Sequence, residues 1–521
     1  MKVDGTRKQH RGTLAAVLVI GLVAAAPVRG GTADKDGHWV MLSPQQLNLL
    51  NRVTFGANPS SARALVALGP DRFLEHQLHP PPTDTLPPAA QAQIDGLSVG
   101  RQSLEEIVTE AEQQQKAVNT IADPELKQAA QRVYQERLNR LAREAATRTL
   151  LRDLYSASQL REQLAWFWFN HFNVHLYKAN IRALVGDYEE KAIRPHVLGH
   201  FRDLLRATLR HPAMLRYLDN DQNAAGHINE NYAREIMELH TMGVGSGYTQ
   251  GDVQELARIL TGVGVVNLAN PPKIKPELAD QYVREGLFEF NPNRHDYGDK
   301  TFLGHPIKGS GLKEVEQALD LLCKSPATAR FVSRKLALYF VSDNPPQPLV
   351  DAMAETFRTT DGDIAAVLKT MFQSPLFIAS LGARFKDPVH FVISALRLAY
   401  DDRVVANINP VQGWIGRLAE PLYGKETPDG YSLNDNAWNS SGQMATRFEI
   451  ARAIGANSAG LFKTEGPPPA DPPAFPLIAN ALFFSSIAPT LAEPTQKALG
   501  LATSPQEWNG LLLSSPEFMR R

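Results

Sequence analysis

Apolar residues recur with helical spacing along most of the chain, starting at SPQQLNLLNRVTFG. The stretch from Glu105 to Tyr155 is rich in Ala, Glu, Gln, Arg and Leu, which predicts two long helices. Asp123 followed by Pro124 is typical of a helix start, so we expect the break between the two helices there. The fold class that this pattern predicts is mainly α, a large multi-helix domain with a small β-hairpin insertion.

Three segments depart from this amphipathic pattern. LAWFWFNHFNVHLY is apolar almost all round, which predicts a helix inside the protein. GLFEFNPNRHDYGDKTFLGHPIKGSG alternates aromatic runs with Asn, Gly and Pro, which predicts a hairpin near residues 286–308. GPPPADPPAF predicts a stiff spacer. The predicted parts are a helical main domain at 40–465, a Pro-rich spacer at 466–477, and a C-terminal helical segment at 478–521 that packs on the main domain.

The first thirty residues have the features of a targeting segment. Four basic residues precede the apolar run LAAVLVIGLVAAAPV, and small residues follow it. We interpret residues 1–30 as a secretory signal peptide, with an N-terminal membrane anchor as the alternative. The single cysteine, Cys323, cannot form an internal disulfide, so an exported protein of this size fits the bacterial periplasm or cell exterior.

Composition narrows the possible partners. The chain has 54 basic and 55 acidic residues, so its overall charge indicates no nucleic acid partner. No second apolar stretch is long enough for a spanning helix, so no membrane span is expected once the signal is removed. The oligomeric state stays open.

The stretch DNDQNAAGHINENYAREIMELH, residues 219–240, contains the strongest candidate chemistry. Its oxygen-bearing residues stand at positions 1, 3, 5 and 12 of a calcium-loop spacing. These are Asp219, Asp221, Asn223 and Glu230. However, Ala224 stands where the loop needs Gly, and Ile228 is displaced. The alternative is that the Asp and Asn residues only cap helices and form turns.

Helical geometry then groups the residues that follow. At 100° per residue, Asn231, Glu235 and Glu238 fall within roughly 60° of each other. A neighbouring stripe should face the core; it consists of Tyr232, Ile236, Leu239 and Gly243. His240 is expected to point elsewhere. The carboxylates either form a pair with perturbed pKa values or make surface salt bridges with Arg234.

Two further groups of residues suggest metal binding or catalysis. His171 and His175 are four residues apart in the predicted buried helix, which suits metal ligation, although Phe172 excludes the zinc-protease motif. Two His with two Glu from another helix would form a helical-bundle metal centre. A core histidine is the alternative. His295 and Asp296 lie in the polar tip of the hairpin, where binding residues or simple turn residues are expected.

Several longer motifs occur along the chain: LLNRVTFG, WFNHFNV, NENYAREIMELHTMGVGSGYTQGDVQELARILTG, HDYGDKTFLG and the closing SPEFMRR. Together they resemble the domain-of-unknown-function 1800 family of large exported bacterial proteins. The resemblance implies a mostly helical exported protein, and a co-exported sulfatase- or phosphatase-like protein as a possible partner. The family motif covers Asn170, His171, Phe172, Asp219, Asn220, Asn229, Glu230, Asn231, Arg234, Glu235, Glu238, His240, His295, Asp296 and Lys300.

These observations lead to two hypotheses. The first is a carboxylate- or metal-dependent hydrolase acting on an extracellular or cell-envelope substrate such as a glycan. Its expected catalytic residues are Glu235, Glu238, Arg234, His295 and Asp296. Its expected ligands for a divalent metal, either calcium or a transition metal, are His171, Asp219, Glu230, Glu235 and Glu238, with Asp221 and Asn223 if a calcium loop forms. The second is a non-catalytic scaffold or binding protein that works with the co-exported partner.

Overall fold

The structure is a computed structural model that describes residues 40–266, 272–463 and 475–521. These residues form a mainly α-helical protein with two small sheets, which confirms the predicted fold class. The predicted signal peptide and most of the predicted Pro-rich spacer lie outside the described residues. Within the described ranges, no helix is both long enough and apolar enough to cross a bilayer.

Residues 40–155, the first part of the chain that the structure describes, form seven helices. They are α1 Pro44–Val53, α2 Pro59–Leu68, α3 Pro70–Leu78, α4 Pro88–Gly96, α5 Ser98–Arg101, α6 Leu104–Thr120 and α7 Pro124–Tyr155. The break before α7 lies where the sequence predicted it, because the Asp123 side chain accepts from the backbone N–H groups of Glu125 and Leu126. α6 and α7 enclose a small apolar core of their own, which includes Ile107 and Leu138.

The central helix α8, Gln159–His171, is buried along its whole length. Its rings pack closely; for example, the Phe167 and Trp168 ring centroids are 4.9 Å apart. The prediction of a helix inside the protein is therefore confirmed. The helix ends at His171, however, and Phe172 is its C-cap. His175 consequently lies beyond the helix, and the predicted i,i+4 pairing of His171 with His175 is wrong.

The remaining helices surround α8. They are α9 Ile181–Asp187, α10 Phe201–Leu209, α11 Pro212–Tyr217, α12 Asn231–Glu235, α13 Gln250–Ile259, α14 Leu312–Lys324, α15 Pro326–Phe340, α16 Gln347–Thr359, α17 Ile364–Phe372, α18 Pro375–Ala379, α19 Pro388–Tyr400, α20 Asn409–Arg417, α21 Ser441–Gly455, α22 Glu493–Gly500 and α23 Pro505–Leu513. Three π-helical segments accompany them, at Tyr188–Ile193, Ile236–Thr241 and Phe483–Ile487.

The predicted hairpin region contains two antiparallel units. Strands β1 Val263–Val265, β2 Val283–Glu285 and β3 Phe288–Phe290 form a sheet of order β1-β3-β2. Strands β4 Lys300–Phe302 and β5 His305–Ile307 form a separate pair. Leu303 and Gly304 both have positive φ in the two-residue turn of that pair, which is the requirement of a type I′ turn.

The C-terminal segment contacts the start of the described chain. The Leu42 N–H donates to Ser486 Oγ at 2.9 Å, and Ser485 Oγ donates to the Val40 carbonyl at 2.7 Å. Farther on, the Lys386 N–H donates to the Met519 carbonyl at 2.9 Å, which ties the last residues to the start of α19.

Candidate functional site

The loop before α12 is held by its asparagine side chains. Asn220 Nδ2 donates to the Val263 carbonyl at 2.8 Å, and Asn223 Nδ2 donates to the Ala257 carbonyl at 2.8 Å. Asn223 Oδ1 accepts from the Asn229 N–H. Both asparagines are buried. The amide that the calcium-loop hypothesis needs as a ligand is therefore used to fix the loop.

The acidic residues of the predicted calcium loop have different partners. Asp219 pairs with Lys178 at 2.8 Å, and Glu230 pairs with Arg234 at 3.1 Å. Asp221 Oδ1 is buried without a hydrogen-bond partner. In the part of the chain that the structure describes, no group of three or more His, Cys, Asp or Glu is arranged to hold a metal ion. The five predicted metal ligands are thus not brought together as one cluster.

The helix after this loop changes its pitch at Glu235. α12 ends there, and Ile236–Thr241 continues as a π-helix. The wider turn moves the buried positions: His240 and Thr241 are fully buried, whereas Leu239 is partly exposed. The stripe predicted from 100° per residue is therefore correct at Tyr232 and wrong at Leu239. A π-turn within a helix is rare and often occurs at functional sites.

His171 caps the end of this π-helix. Its Nε2 lies 3.0 Å from the His240 carbonyl, and because a carbonyl only accepts, Nε2 carries the proton. Burial lowers the pKa of His171 well below its ordinary value, and the nearby Lys335 lowers it further. His171 therefore binds the end of the π-helix as a neutral imidazole.

The carboxylates predicted to act together do lie in one electrostatic environment. Glu235 and Glu238 are both half-buried, and Arg234 Nη1 lies 3.6 Å from Glu238 Oε1. Burial raises the pKa of Glu235, and the negative charges of Glu238 and Asp429 raise it further, against an opposing effect of Arg234. Burial and a hydrogen bond to Glu238 raise the pKa of Tyr248 to about 12. We call Glu235, Glu238, Asp429 and Tyr248 the carboxylate group.

Asp429 reaches this group on a loop that two asparagines hold. Asn170 Nδ2 donates to the Tyr431 carbonyl, and Asn170 Oδ1 accepts from the Tyr431 N–H at 2.6 Å. Asn173 Nδ2 donates to the Thr427 carbonyl at 2.8 Å. Gly430 has φ +78, and a Cβ there would lie 2.2 Å from the Asn170 carbonyl oxygen. The loop therefore packs directly on the end of α8.

Lys335 lies near enough to Asp429 and to the buried histidines for the charges to affect one another. Burial lowers the pKa of Lys335 to about 8, and Asp429 opposes this effect. Burial, with the charge of Lys335, lowers the pKa of His240 to about 3. The Lys335 ammonium lies 5.6 Å from the centroid of the Phe331 ring. The site thus combines acidic groups at the surface with neutral histidines below.

An open cleft of about 620 Å³ lies beside the Lys178–Asp219 ion pair. Asp219, Asp221, Lys178 and Asn180 contribute to its wall. Lys178 Nζ also lies 5.7 Å from the centroid of the Tyr217 ring. Burial raises the pKa of Tyr217, and the negative charges of Glu235 and Asp429 raise it further.

A comparison with protein families identifies the chain. The family described as "Protein of unknown function (DUF1800)" matches residues 48–520. The chain belongs to this family. No curated protein and no solved structure matches it. The resemblance seen in the sequence is therefore confirmed, while the family description names no activity.

His295 and Asp296 of this DUF1800 protein lie in a different network. His295 Nε2 lies 2.9 Å from Glu314 Oε1, Lys300 Nζ donates to Glu314 Oε2 at 2.6 Å, and all three side chains are fully buried. Asp296 pairs with Arg258 at 2.8 Å, and this contact lowers the pKa of Asp296 to about 2. Among the described residues, neither His295 nor Asp296 makes a hydrogen bond or ion pair with Glu235, Glu238 or Arg234.

Sequence reasoning missed four residues of the DUF1800 site: Asn173, Tyr217, Lys335 and Asp429. Only Asp429 carried a local signal, because TPDGY is a turn sequence in which polar residues project into solvent. The other three are brought to the site by packing between distant segments, which no periodic pattern indicates.

Proposed function

We propose that this DUF1800 protein is an exported hydrolase that uses Glu235 and Glu238 as an acid–base pair on an extracellular or cell-envelope substrate such as a glycan. The observation that carries the proposal is that Glu235 and Glu238 are both half-buried at the π-turn, with Arg234 3.6 Å from Glu238. Burial, with the charges of Glu238 and Asp429, raises the pKa of Glu235. Two carboxyl groups in unequal environments are the arrangement that divides the acid and base roles in glycoside hydrolysis.

The environments of the two carboxyl groups suggest their roles. Glu235 retains its proton at higher pH than an ordinary glutamate, so it acts as the general acid and protonates the leaving oxygen. Glu238 has Arg234 beside it and acts as the base that removes a proton from the attacking water. The water oxygen bonds to the carbon under attack as the bond to the leaving oxygen breaks.

The cleft beside Lys178 and Asp219 supports an oligomeric, hydroxyl-rich substrate. Its volume of about 620 Å³ lies within the usual range of ligand sites, roughly 300–1,000 Å³. Amide side chains in its wall can both donate to and accept from sugar hydroxyls. These amides belong to Gln115, Asn119, Asn180 and Gln222.

The test is a screen of cell-envelope glycans and simple esters with the purified protein, followed by single substitutions on the substrate that is cleaved. We expect Glu235→Gln and Glu238→Gln each to lower kcat/KM by about 100-fold or more, the usual contribution of a general acid or base. Glu289→Gln is the matched control, because Glu289 also has a pKa raised by burial but lies in β3, hydrogen-bonded to Tyr282.

The control and the pH profile make the outcome decisive. Activity should fall as pH rises through the raised pKa of Glu235, and Glu289→Gln should leave the rate unchanged. Full activity of Glu235→Gln, or an equal loss in Glu289→Gln, would contradict the proposal. Elemental analysis of the active protein tests whether a divalent metal contributes.

The buried His295–Glu314–Lys300 network favours a second candidate, a non-catalytic scaffold or binding protein that works with a co-exported sulfatase- or phosphatase-like partner. Two residues of the same motif, His295 and Lys300, are used there for internal ion pairs with Glu314. On this alternative Glu235 serves only the fold, so Glu235→Ala lowers the free energy of unfolding by about 1 kcal/mol, the usual effect of a point substitution. It also predicts that no substrate is cleaved and that binding to the partner is detectable by calorimetry.

A further inference from the structure

A second cavity lies away from the carboxylate group, between α1, α19 and the C-terminal helices. Its volume is about 240 Å³. Its apolar wall is formed by Leu47, Leu398, Ile487, Leu491, Leu512 and Phe518. At about 30 Å³ per water molecule, it has room for about eight waters, and therefore for a small organic molecule. We call it the Lys386 cavity.

Lys386 is the basic side chain of interest in its wall. The residue is 3% exposed, and its backbone is fixed by Met519 and Arg447, the latter through a hydrogen bond of 2.7 Å to the Lys386 carbonyl. Its Nζ lies 3.7 Å from the centroid of the Phe518 ring. Across the described ranges of the chain, Nζ makes no hydrogen bond and no ion pair.

The charged groups around Lys386 oppose its protonation. Burial lowers the pKa of Lys386 well below its ordinary value, and the guanidinium groups of Arg447 and Arg521 lower it further. Glu517 also lines the cavity, but its carboxylate accepts from the Ala492 N–H and the Thr495 hydroxyl. Arg520 donates to the Ala383 carbonyl.

A desolvated lysine next to other cations is a nucleophilic amine. The Asn48 side chain lines the same cavity and makes no hydrogen bond to any described residue, so its amide is available to donate to an oxygen. A desolvated amine, a free amide donor and an apolar wall match the chemistry of a small carbonyl compound.

We propose that the Lys386 cavity binds a small aldehyde or ketone and that Lys386 Nζ forms an imine with it. The amine nitrogen attacks the carbonyl carbon, and the carbonyl oxygen takes up a proton to give a carbinolamine. The C–O bond then breaks, water leaves with the second amine proton, and the C=N bond remains. Hydrolysis returns the free amine, so no oxidant or reductant is consumed.

The test treats the full-length protein with benzaldehyde and sodium cyanoborohydride, which reduces an imine to a stable secondary amine, at mildly acidic pH. Exposed lysines, with a pKa of about 10.4, are almost fully protonated under these conditions. We expect peptide mapping by mass spectrometry to find one benzyl group on Lys386 before any other lysine. Lys386→Met should abolish this first modification.

Lys300 is the matched control, because it is also 3% exposed but is ion-paired with Glu314. It should remain unmodified. An aldehyde too large for the cavity, such as pyrenecarboxaldehyde, should not label Lys386. The proposal would be overturned if benzyl groups were spread over surface lysines while Lys386 stayed unmodified. It would also be overturned if the Lys386→Met variant acquired its first benzyl group as readily as the wild-type protein. The wild-type map decides the matter even if that variant does not fold.

Discussion

The carboxylate group and the His295–Glu314–Lys300 network are built from similar residues and have opposite environments. In the network, a single carboxylate receives bonds from two basic groups, and all three side chains are fully buried. In the carboxylate group, Glu235 has two acidic neighbours and remains half-buried. The polar residues of the motif therefore form two kinds of site. In one, oppositely charged buried groups pair and fix the fold; in the other, like charges near the surface are suited to proton transfer.

The largest expected effect is the loss of the network's carboxylate. Glu314→Ala leaves Lys300 and His295 buried without their partner, so we expect the free energy of unfolding to fall by about 3–5 kcal/mol. Denaturant titration measures this change. Glu316→Ala is the control on the same helix, because Glu316 pairs with arginines at the surface; we expect a loss of about 1 kcal/mol or less there. Similar losses in both variants would remove the distinction between the two regions.

The loop that leads to Glu235 provides an intermediate effect. Asn223→Ala removes the bonds to Ala257 and Asn229, so we expect a loss of about 1–3 kcal/mol. Asp221→Ala removes a carboxyl group whose buried Oδ1 has no hydrogen-bond partner, so we expect a change within about 0.5 kcal/mol. The same denaturant titration compares the variants. A larger loss at Asp221 would indicate that its carboxylate binds a group needed for folding.

The pH dependence of stability should have opposite signs in the two regions. Burial raises the pKa of Glu235 in the folded protein. Its contribution to the free energy of unfolding is therefore present at pH values below 4.5, its pKa in the unfolded chain, and is lost as pH rises through its pKa in the folded protein. For Glu314, burial is outweighed by the bonds from His295, Lys300 and the Ser310 N–H, and its pKa is lowered. Its contribution is therefore present above 4.5 and is lost as pH falls through the folded value.

Melting temperatures of variants from about pH 3 to about pH 8 test these signs. Glu235→Gln should become more stable relative to wild type as pH rises, and Glu314→Gln less stable. Parallel curves for the two variants would show that their environments do not differ as described.

The smallest expected effect is that of metal removal. Since Asn223 is used within the loop and the acids of the predicted calcium loop have separate environments, a chelator should move the melting temperature by less than about 1 °C. Elemental analysis before and after chelation accompanies the melt. Stoichiometric calcium with a chelator-sensitive melt would restore the calcium-loop interpretation for Asp219, Asp221, Asn223 and Glu230.

The sequence was most informative where structure depends on neighbouring residues. Asp123 with Pro124 predicted a helix start, and the structure contains it. The closeness of Glu235 and Glu238 was also predictable, because residues three apart on a helix are neighbours.

The failures have identifiable physical causes. The π-turn changes the angle per residue, so Leu239, which was expected to face the core, is partly exposed. The end of α8 at His171 separated it from His175. Asp429, Lys335 and Glu314 reach their partners through the tertiary fold, which the sequence pattern does not encode.

The most direct test of the central claim is the pKa of Glu235 itself. Infrared titration of the carboxyl C=O band, compared between wild type and Glu235→Gln, isolates the one carboxyl group that differs. We predict that the C=O band present in wild type and absent from Glu235→Gln titrates with a pKa clearly above 4.5, the ordinary value for glutamate. If that band titrates with a pKa at or below 4.5, Glu235 is an ordinary carboxylate, and this result would contradict its role as the general acid.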